Sequence, residues 1–266
     1  MNNFWTRTIS GAVFAGVVIA CIWYNQWSLI MLLWLISVVG IFEFLKLRKS
    51  TDPLSVIFGI LLGSLFILIP VITKIQPYIY ISIAAIALIF VLISLLRFQT
   101  LVYKHVSNVF IGCLYVAIPV TLFLDAVYDP FDYEFRKPLF IFLLVWSSDT
   151  FAYLTGRALG NHHLAPKLSP KKTWEGFIGG SILTAILGGF LGYIWISMEP
   201  YQGVILGLCV GIFGTAGDLF ESALKRNAEV KDSGNIIPGH GGVLDRFDAF
   251  LFACIVCWCT FQWLEI

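Results

Sequence analysis

The sequence predicts an all-α protein, a polytopic transmembrane helical bundle of about nine spans with a cytoplasmic N-terminus. Three observations carry this. First, of 266 residues 59% are hydrophobic and 12% are charged, at a mean hydropathy of +0.87. Soluble domains carry about a quarter charged residues, and a domain of this length cannot bury so much apolar surface in one core. Second, the apolar residues fall into nine runs, at 8–24, 27–46, 54–73, 77–97, 107–126, 138–157, 175–197, 201–223 and 248–264. Each is close to the roughly 20 helical residues that cross a bilayer core of about 30 Å. Helix is the form that leaves no backbone polar group bare in lipid.

The third observation is the distribution of charge, since the net charge of +1 is uninformative as a total. With the N-terminus inside, the inner segments hold Arg7, Lys46, Arg48, Lys49, Arg97, Lys104, Arg157, Lys167, Lys171, Lys172, Lys225, Arg226, Lys231 and Arg246. The outer segments hold only Lys74, Arg136 and Lys137, together with the acidic group Asp125, Asp129, Asp132 and Glu134. That asymmetry is the positive-inside pattern. Val18–Cys21 has the look of a lipoprotein cleavage box, but the many later spans favour an uncleaved first span.

The chain divides into N-terminal spans, 1–135, and a C-terminal region, 136–266. The latter carries two polar inner loops, 158–174 and 224–247, both with Gly, Pro, His and Lys. Loops of that composition are where binding chemistry concentrates. Gly176 and Gly180, Gly188 and Gly192, and Gly207 and Gly211 are four apart, which lets helix backbones approach closely or leaves backbone lining a cavity. The six cysteines sit in apolar runs and read as small buried hydrophobes; Cys254, Cys257 and Cys259 lack a further Cys or His to complete a metal site. Nothing reads as a nucleic-acid patch, and neither a P-loop nor a dinucleotide-binding glycine motif occurs. No repeat supports an inverted-repeat transporter.

Acids inside apolar helices are costly, about 2.5–3.5 kcal/mol or more at mid-bilayer. Asp149, in Trp146-Ser-Ser-Asp-Thr150, and Asp218 and Glu221 near the end of the eighth run therefore need a cation partner or a functional reason. The segment Pro238-Gly-His240-Gly241-Gly242-Val-Leu-Asp245-Arg246-Phe-Asp248 adds glycines that permit positive φ, amides suited to an anion-binding nest, and Asp245 and Asp248 on one side of a helix. Arg246 suits bidentate phosphate contact. His240 reads equally as a base, a phosphate donor or a turn cap. Carboxylates of this kind suit Mg²⁺, which keeps waters and substrate phosphates in its shell. Beside Lys171, Lys172, Lys225, Arg226 and Lys231 they describe a site for phosphate with metal.

The 27 residues Ser222–Asp248 closely resemble the signature of the phosphatidate cytidylyltransferases, the CDP-diacylglycerol synthases. So do Ser147-Ser-Asp149-Thr150, Gly156-Arg157, Ser169-Pro-Lys171-Lys172-Thr-Trp-Glu-Gly176 and Gly217-Asp218. The resemblance covers roughly 140–250; the first 135 residues share only apolar spans. It implies transfer of the cytidylyl group of CTP to phosphatidate, giving CDP-diacylglycerol and pyrophosphate. It also implies Mg²⁺, allows a second cation such as K⁺, and implies a homodimer in the cytoplasmic membrane with the site facing the cytoplasm.

On that reading Asp218 and Asp245 are the metal ligands. The catalytic set is Asp218, Asp245, Arg246, Asp248, Lys225 and His240. The substrate-binding set is Lys171, Lys172, Ser222, Arg226, Lys231, Gly241, Gly242 and Asp149. Two rivals stand beside it: a CTP-dependent transferase with another lipid phosphate or lipid alcohol as acceptor, and an ion-coupled transporter, which does not account for the phosphate-style loop.

Overall fold

The computed structural model describes residues 3–72, 76–98 and 102–264. Lys74 and the side chain of Arg7, both used in the orientation argument, lie outside what is described. The helices are α1 (Asn3–Tyr24), α2 (Gln26–Leu47), α3 (Pro53–Val71), α4 (Gln76–Phe98), α5 (Val102–Gly112), α6 (Ile118–Val127), α7 (Arg136–Leu159), α8 (Trp174–Ile196), α9 (Pro200–Asn227) and α10 (Leu244–Leu264). Among the described residues eight stretches are long and apolar enough to cross a membrane, and Thr8–Tyr24 of α1 is a shorter apolar segment. The polytopic helical architecture is therefore as expected.

Several boundaries differ from the sequence reading. The fifth run is longer, Val102–Val127, because α5 and α6 are joined by a π-helical turn, Cys113–Ala117. Pro119 at the start of α6 lacks an amide and crowds the carbonyl four residues back, which a widened turn accommodates. The expected loop 158–174 is not structureless. It contains an antiparallel hairpin of β1 (His163–Ala165) and β2 (Ser169–Thr173), pairing His163 with Thr173 and Ala165 with Ser169. α9 runs on to Asn227, so Lys225 and Arg226 are helical rather than part of the second loop, and Ser222 is helical as expected. α10 starts at Leu244, placing Asp245 and Arg246 in its first turn.

Contacts divide the chain into two units: Met1–Tyr133 with Asp232–Asp245, and Glu134–Lys231 with Arg246–Ile266. In the first, Asn25 and Ser28 form a capping box on α2, and Asp52 caps α3 ahead of Pro53. Both devices satisfy amides that the first helical turn leaves unpaired. Its interior is mainly apolar, with Phe44, Phe90 and Phe123 fully buried, but it also encloses Glu43 and Asn108.

The second unit shows how a helix is built for lipid. On α8 the small residues Gly176, Gly180, Ser181, Thr184, Ala185 and Gly188 face inward. The large ones Ile178, Ile182, Ile186 and Phe190 face outward, 51–61% exposed. In water such a row would be an aggregation patch; in a bilayer it is the solvated side. The inward glycines allow backbone contact. A Cβ on Gly180 would meet Ala152 of α7 at 2.8 Å, and Cβ atoms on Gly207 and Gly211 of α9 would meet Ala185 at 2.9 Å and Ser181 at 2.7 Å. Close packing is thus the role of these glycines, as in small-residue membrane interfaces. Phe142 stacks on Phe250 at 4.4 Å and meets Phe247 edge-on, interlocking α7 with α10.

The turn before α3 yields a pH-dependent prediction. Burial works to raise the Asp52 carboxyl pKa, but hydrogen bonds from the Ser55 amide and hydroxyl and from His105, with its charge, hold it below the ordinary carboxylate value. Asp52 Oδ2 lies 2.8 Å from His105 Nδ1. A depressed carboxylate contributes stability above its unfolded pKa of about 3.9 and loses it as pH falls through the lower folded value. Asp52→Asn keeps the cap but removes the charge. Its melting temperature is expected to be about 2 °C lower than that of the parent at pH 7, the gap closing below about pH 4.

Candidate functional site

In the second unit, α7, the hairpin, α8 and α9 enclose a cavity of about 390 Å³, within the size range of small-molecule sites. Its wall joins Asp149, Arg157, Lys171, Lys172 and Asp218 to the apolar Ala152, Tyr153, Leu164 and Phe177. The hairpin is pinned so that its lysines reach this wall. Glu175, at the start of α8, accepts hydrogen bonds from the Asn161 and His162 amides and lies 2.6 Å from His162 Nδ1. The Trp174 amide donates to the His162 carbonyl at 2.9 Å, and Thr173 caps α8 through the Gly176 amide.

Asp218 is held on both oxygens. Lys172 Nζ is ion-paired to Oδ2, and Ser222 Oγ, one turn along α9, donates to Oδ1 at 3.3 Å. Asp149 and Asp248 both lie within electrostatic reach of Asp218 and of each other. Arg246 reaches Asp149, and Lys225 reaches Asp248. The local cause is backbone proximity: a Cβ at Gly217 would collide with the Asp248 carbonyl, so α9 and α10 touch beside Asp218. Glu221, wholly buried, is ion-paired with Lys225 one turn on. Among the described residues Arg157, Lys171, Arg226, Lys231 and Arg246 form no salt bridge. This unit therefore gathers Asp149, Lys171, Lys172, Asp218, Ser222, Lys225, Arg246 and Asp248 from the expected site. Arg226 and Lys231 are exposed at the end of α9 and beyond it.

The glycine loop belongs to the first unit, where it is rigidly built. The Ile237 amide donates to the Gly241 carbonyl and the His240 amide to the Ile237 carbonyl, each at 2.9 Å. Gly239 and Gly241 adopt positive φ, 75° and 84°. A side chain at Gly241 would in addition meet Asp245 Oδ2 at 2.6 Å. Asp245 Oδ2 accepts from the Ser233 amide at 2.8 Å, from Ser233 Oγ at 2.9 Å and from the Gly242 amide at 2.8 Å. His240 Nδ1 lies 2.8 Å from Ser10 Oγ of α1.

One residue of this loop's surroundings is absent from the sequence reading. Glu43 of α2, 2% exposed, accepts from the Val243 amide at 3.1 Å, the Leu244 amide at 2.8 Å and Ser233 Oγ at 3.0 Å. The loop amides were expected to form a nest for a ligand anion. Instead the chain's own carboxylates occupy them: Asp245 takes the Gly242 amide and Glu43 the next two. Glu43 carried the same signal as Asp149, an acid inside an apolar run (Ile41-Phe-Glu-Phe-Leu45), and that signal was open to reading.

As to metal, no three His, Cys, Asp or Glu side chains among the described residues are grouped to hold an ion by themselves. Carboxylates within reach of one another, beside lysine and arginine side chains, have the donor chemistry that suits Mg²⁺, whose shell is completed by waters and phosphates. Cys113, Cys254 and Cys257 are buried as expected of small hydrophobes, whereas Cys21 and Cys209 are only partly buried and Cys259 is exposed.

Two comparisons with known proteins bear on this arrangement. A family model described as the cytidylyltransferase family matches residues 5–264. The phosphatidate cytidylyltransferase of Bacillus subtilis (strain 168) is 34% identical over 252 residues, 92% of this chain and 93% of that protein. Those of Staphylococcus haemolyticus (strain JCSC1435) and Staphylococcus aureus (strain COL) are 49% and 47% identical over 115 and 128 residues, 44% and 49% of their own lengths.

The loop geometry generates a stability prediction. Gly241→Ala imposes a strained φ and a contact with Asp245, each strain costing of order 1–3 kcal/mol. A drop of roughly 2–10 °C in melting temperature is expected in a thermal-shift measurement; an unchanged value contradicts the geometry.

Proposed function

The chain belongs to the cytidylyltransferase family, and on that premise we propose that it transfers the cytidylyl group of CTP to phosphatidate, giving CDP-diacylglycerol and pyrophosphate for phospholipid synthesis. One observation carries the reading to the residues: a cavity on membrane-spanning helices with Lys171, Lys172 and Arg157 set against Asp149 and Asp218, and an apolar wall beside them.

The chemistry asks little covalent work of the protein. A phosphate oxygen of phosphatidate attacks the α-phosphorus of CTP; the bond from that phosphorus to the bridging oxygen of the β-phosphate breaks, and pyrophosphate leaves with the electron pair. Catalysis of such a step is positioning and charge neutralisation. Lys171, Lys172 and Arg157 bind phosphate oxygens of the two substrates. Lys172, paired with Asp218 in the cavity wall, is held in place until a phosphate competes for it. Lys225, Arg226, Lys231 and Arg246 offset charge on the departing pyrophosphate. Tyr153, Leu164 and Phe177 face the lipid side of the headgroup.

Mg²⁺ is part of the proposal, with Asp218 and Asp245 as its ligands and Asp149 and Asp248 as supporting acids. When bound it supplies Lewis-acid neutralisation of phosphate charge. His240, Ser222, Gly241 and Gly242 support the loop and the acid rather than reacting. The proposal extends to K⁺ as a second cation, to a homodimer, and to a site facing the cytoplasm, where CTP is available, in the cell membrane.

The test is pyrophosphate release from CTP by purified protein across a panel of lipid phosphates and lipid alcohols. Phosphatidate is expected to be the preferred acceptor, with activity abolished by chelation and restored by Mg²⁺. Asp218→Asn and Asp245→Asn are each expected to lower kcat by about 10²–10³-fold. Near-normal Mg²⁺-dependent turnover in either variant removes that residue from the metal set.

A further inference from the structure

The N-terminal helices look from the sequence like plain membrane anchors, yet one of them contributes a buried charge to the signature loop. We propose that Glu43 is a positioning residue for the reaction: its carboxylate is the internal anion around which the loop 232–245 folds, holding Asp245 in its working orientation. The proposal rests on the cytidylyl-transfer reading above.

The geometry is that of an anion site filled from within. Both Glu43 oxygens accept hydrogen bonds: Oε1 from the Val243 amide, Oε2 from the Leu244 amide and from Ser233 Oγ. Those amides open α10, where the unpaired N–H groups and the helix dipole favour negative charge. α2 is shaped to deliver the carboxylate there. One turn before Glu43, Gly40 gives Leu244 room to pack, since a Cβ at Gly40 would come within 3.3 Å of it. Gly234 and Gly242 flank the carboxylate so closely that a Cβ on either would collide with it. The site thus requires an acid in α2 and glycines at two places in the loop, matching in shape as well as in charge.

The link to Asp245 is Ser233. Its hydroxyl lies within hydrogen-bond distance of Glu43 Oε2 and of Asp245 Oδ2, and its amide also donates to Asp245. A single hydroxyl hydrogen therefore couples two buried carboxylates, and a shift of Glu43 is passed to Asp245 through one side chain. Replacing Glu43 by Gln keeps the shape but turns an NH₂ toward amide or hydroxyl donors, so at least one of them loses its acceptor.

The test uses the full chain in lipid nanodiscs, comparing the parent with Glu43→Gln, Glu43→Asp, Glu43→Ala and Ser233→Ala. For Glu43→Gln the expected result is a Mg²⁺ half-saturation concentration about 10–100-fold higher and a kcat up to about 100-fold lower. Glu43→Asp, which keeps the carboxylate, is expected to recover part of both, and Glu43→Ala none. A purely structural role lowers the amount of active protein, and hence the plateau, without moving the Mg²⁺ half-saturation. Hydrogen–deuterium exchange supplies a readout that needs no substrate: the peptide over 232–246 exchanges faster in Glu43→Gln while the other spans keep parental protection. An unmoved Mg²⁺ half-saturation, or parental exchange over 232–246, overturns the proposal. If Glu43→Gln does not fold, Ser233→Ala carries the same two measurements with smaller shifts in the same direction, and parental values for it are equally decisive. Should the parent fail to release pyrophosphate from CTP and phosphatidate, the exchange result still judges the role of Glu43 in the loop, and only the functional reading falls.

Discussion

Ionised side chains on helices that cross lipid have to find counter-charges and hydrogen-bond donors inside the protein, because the surrounding hydrocarbon offers neither. That constraint organises each unit of this chain. In the first, Glu43 is answered by two helix-start amides and a serine hydroxyl. In the second, Asp218 is answered by Lys172 and Ser222, and Glu221 by Lys225. Removing one partner of a buried pair strands the other charge, which costs more than the loss of a surface ion pair.

Such charge pairing demands close helices, and the chain achieves this by omission of side chains. Gly180, Gly207 and Gly211 let the backbones of α7, α8 and α9 touch, and Gly217 does so for α9 and α10 beside Asp218. Larger residues on α8 are turned outward, where lipid solvates them. Apolar burial drives water-soluble cores, but lipid is as apolar as leucine, so packing contact and internal hydrogen bonds take over. The hydroxyls of Thr155, Ser181 and Thr184 fit this pattern: each bonds a helix carbonyl four residues back, and Thr155 also reaches the Gly176 carbonyl of α8 at 3.2 Å.

The glycine loop illustrates how a motif can be legible and its physics still misjudged. Runs of glycine before a helix read naturally as a cradle for a ligand anion, and positive φ at Gly239 and Gly241 is present. The amides, however, are taken by Asp245 and Glu43. The glycines are required because the chain's own carboxylates press against the backbone, which makes the loop a rigid support rather than an open cradle.

By itself the sequence determined the membrane-spanning helical class, since hydrophobic length and backbone satisfaction in lipid are properties of each segment alone. It also determined the acid and lysine inventory of the family signature, because those residues cluster within 110 positions of chain. Only the tertiary structure decided which charges share neighbours. Glu43 meets Ser233 and Leu244 across 190 and 201 residues of sequence, and no periodicity within α2 encodes a partner so remote. The hairpin was equally hidden, since its two short strands exist through their pairing with each other and through Glu175 pinning the turn of chain before them. Local hydrophobicity selects a helix one segment at a time, whereas the match of a buried charge to its donors is settled only when distant segments are packed together.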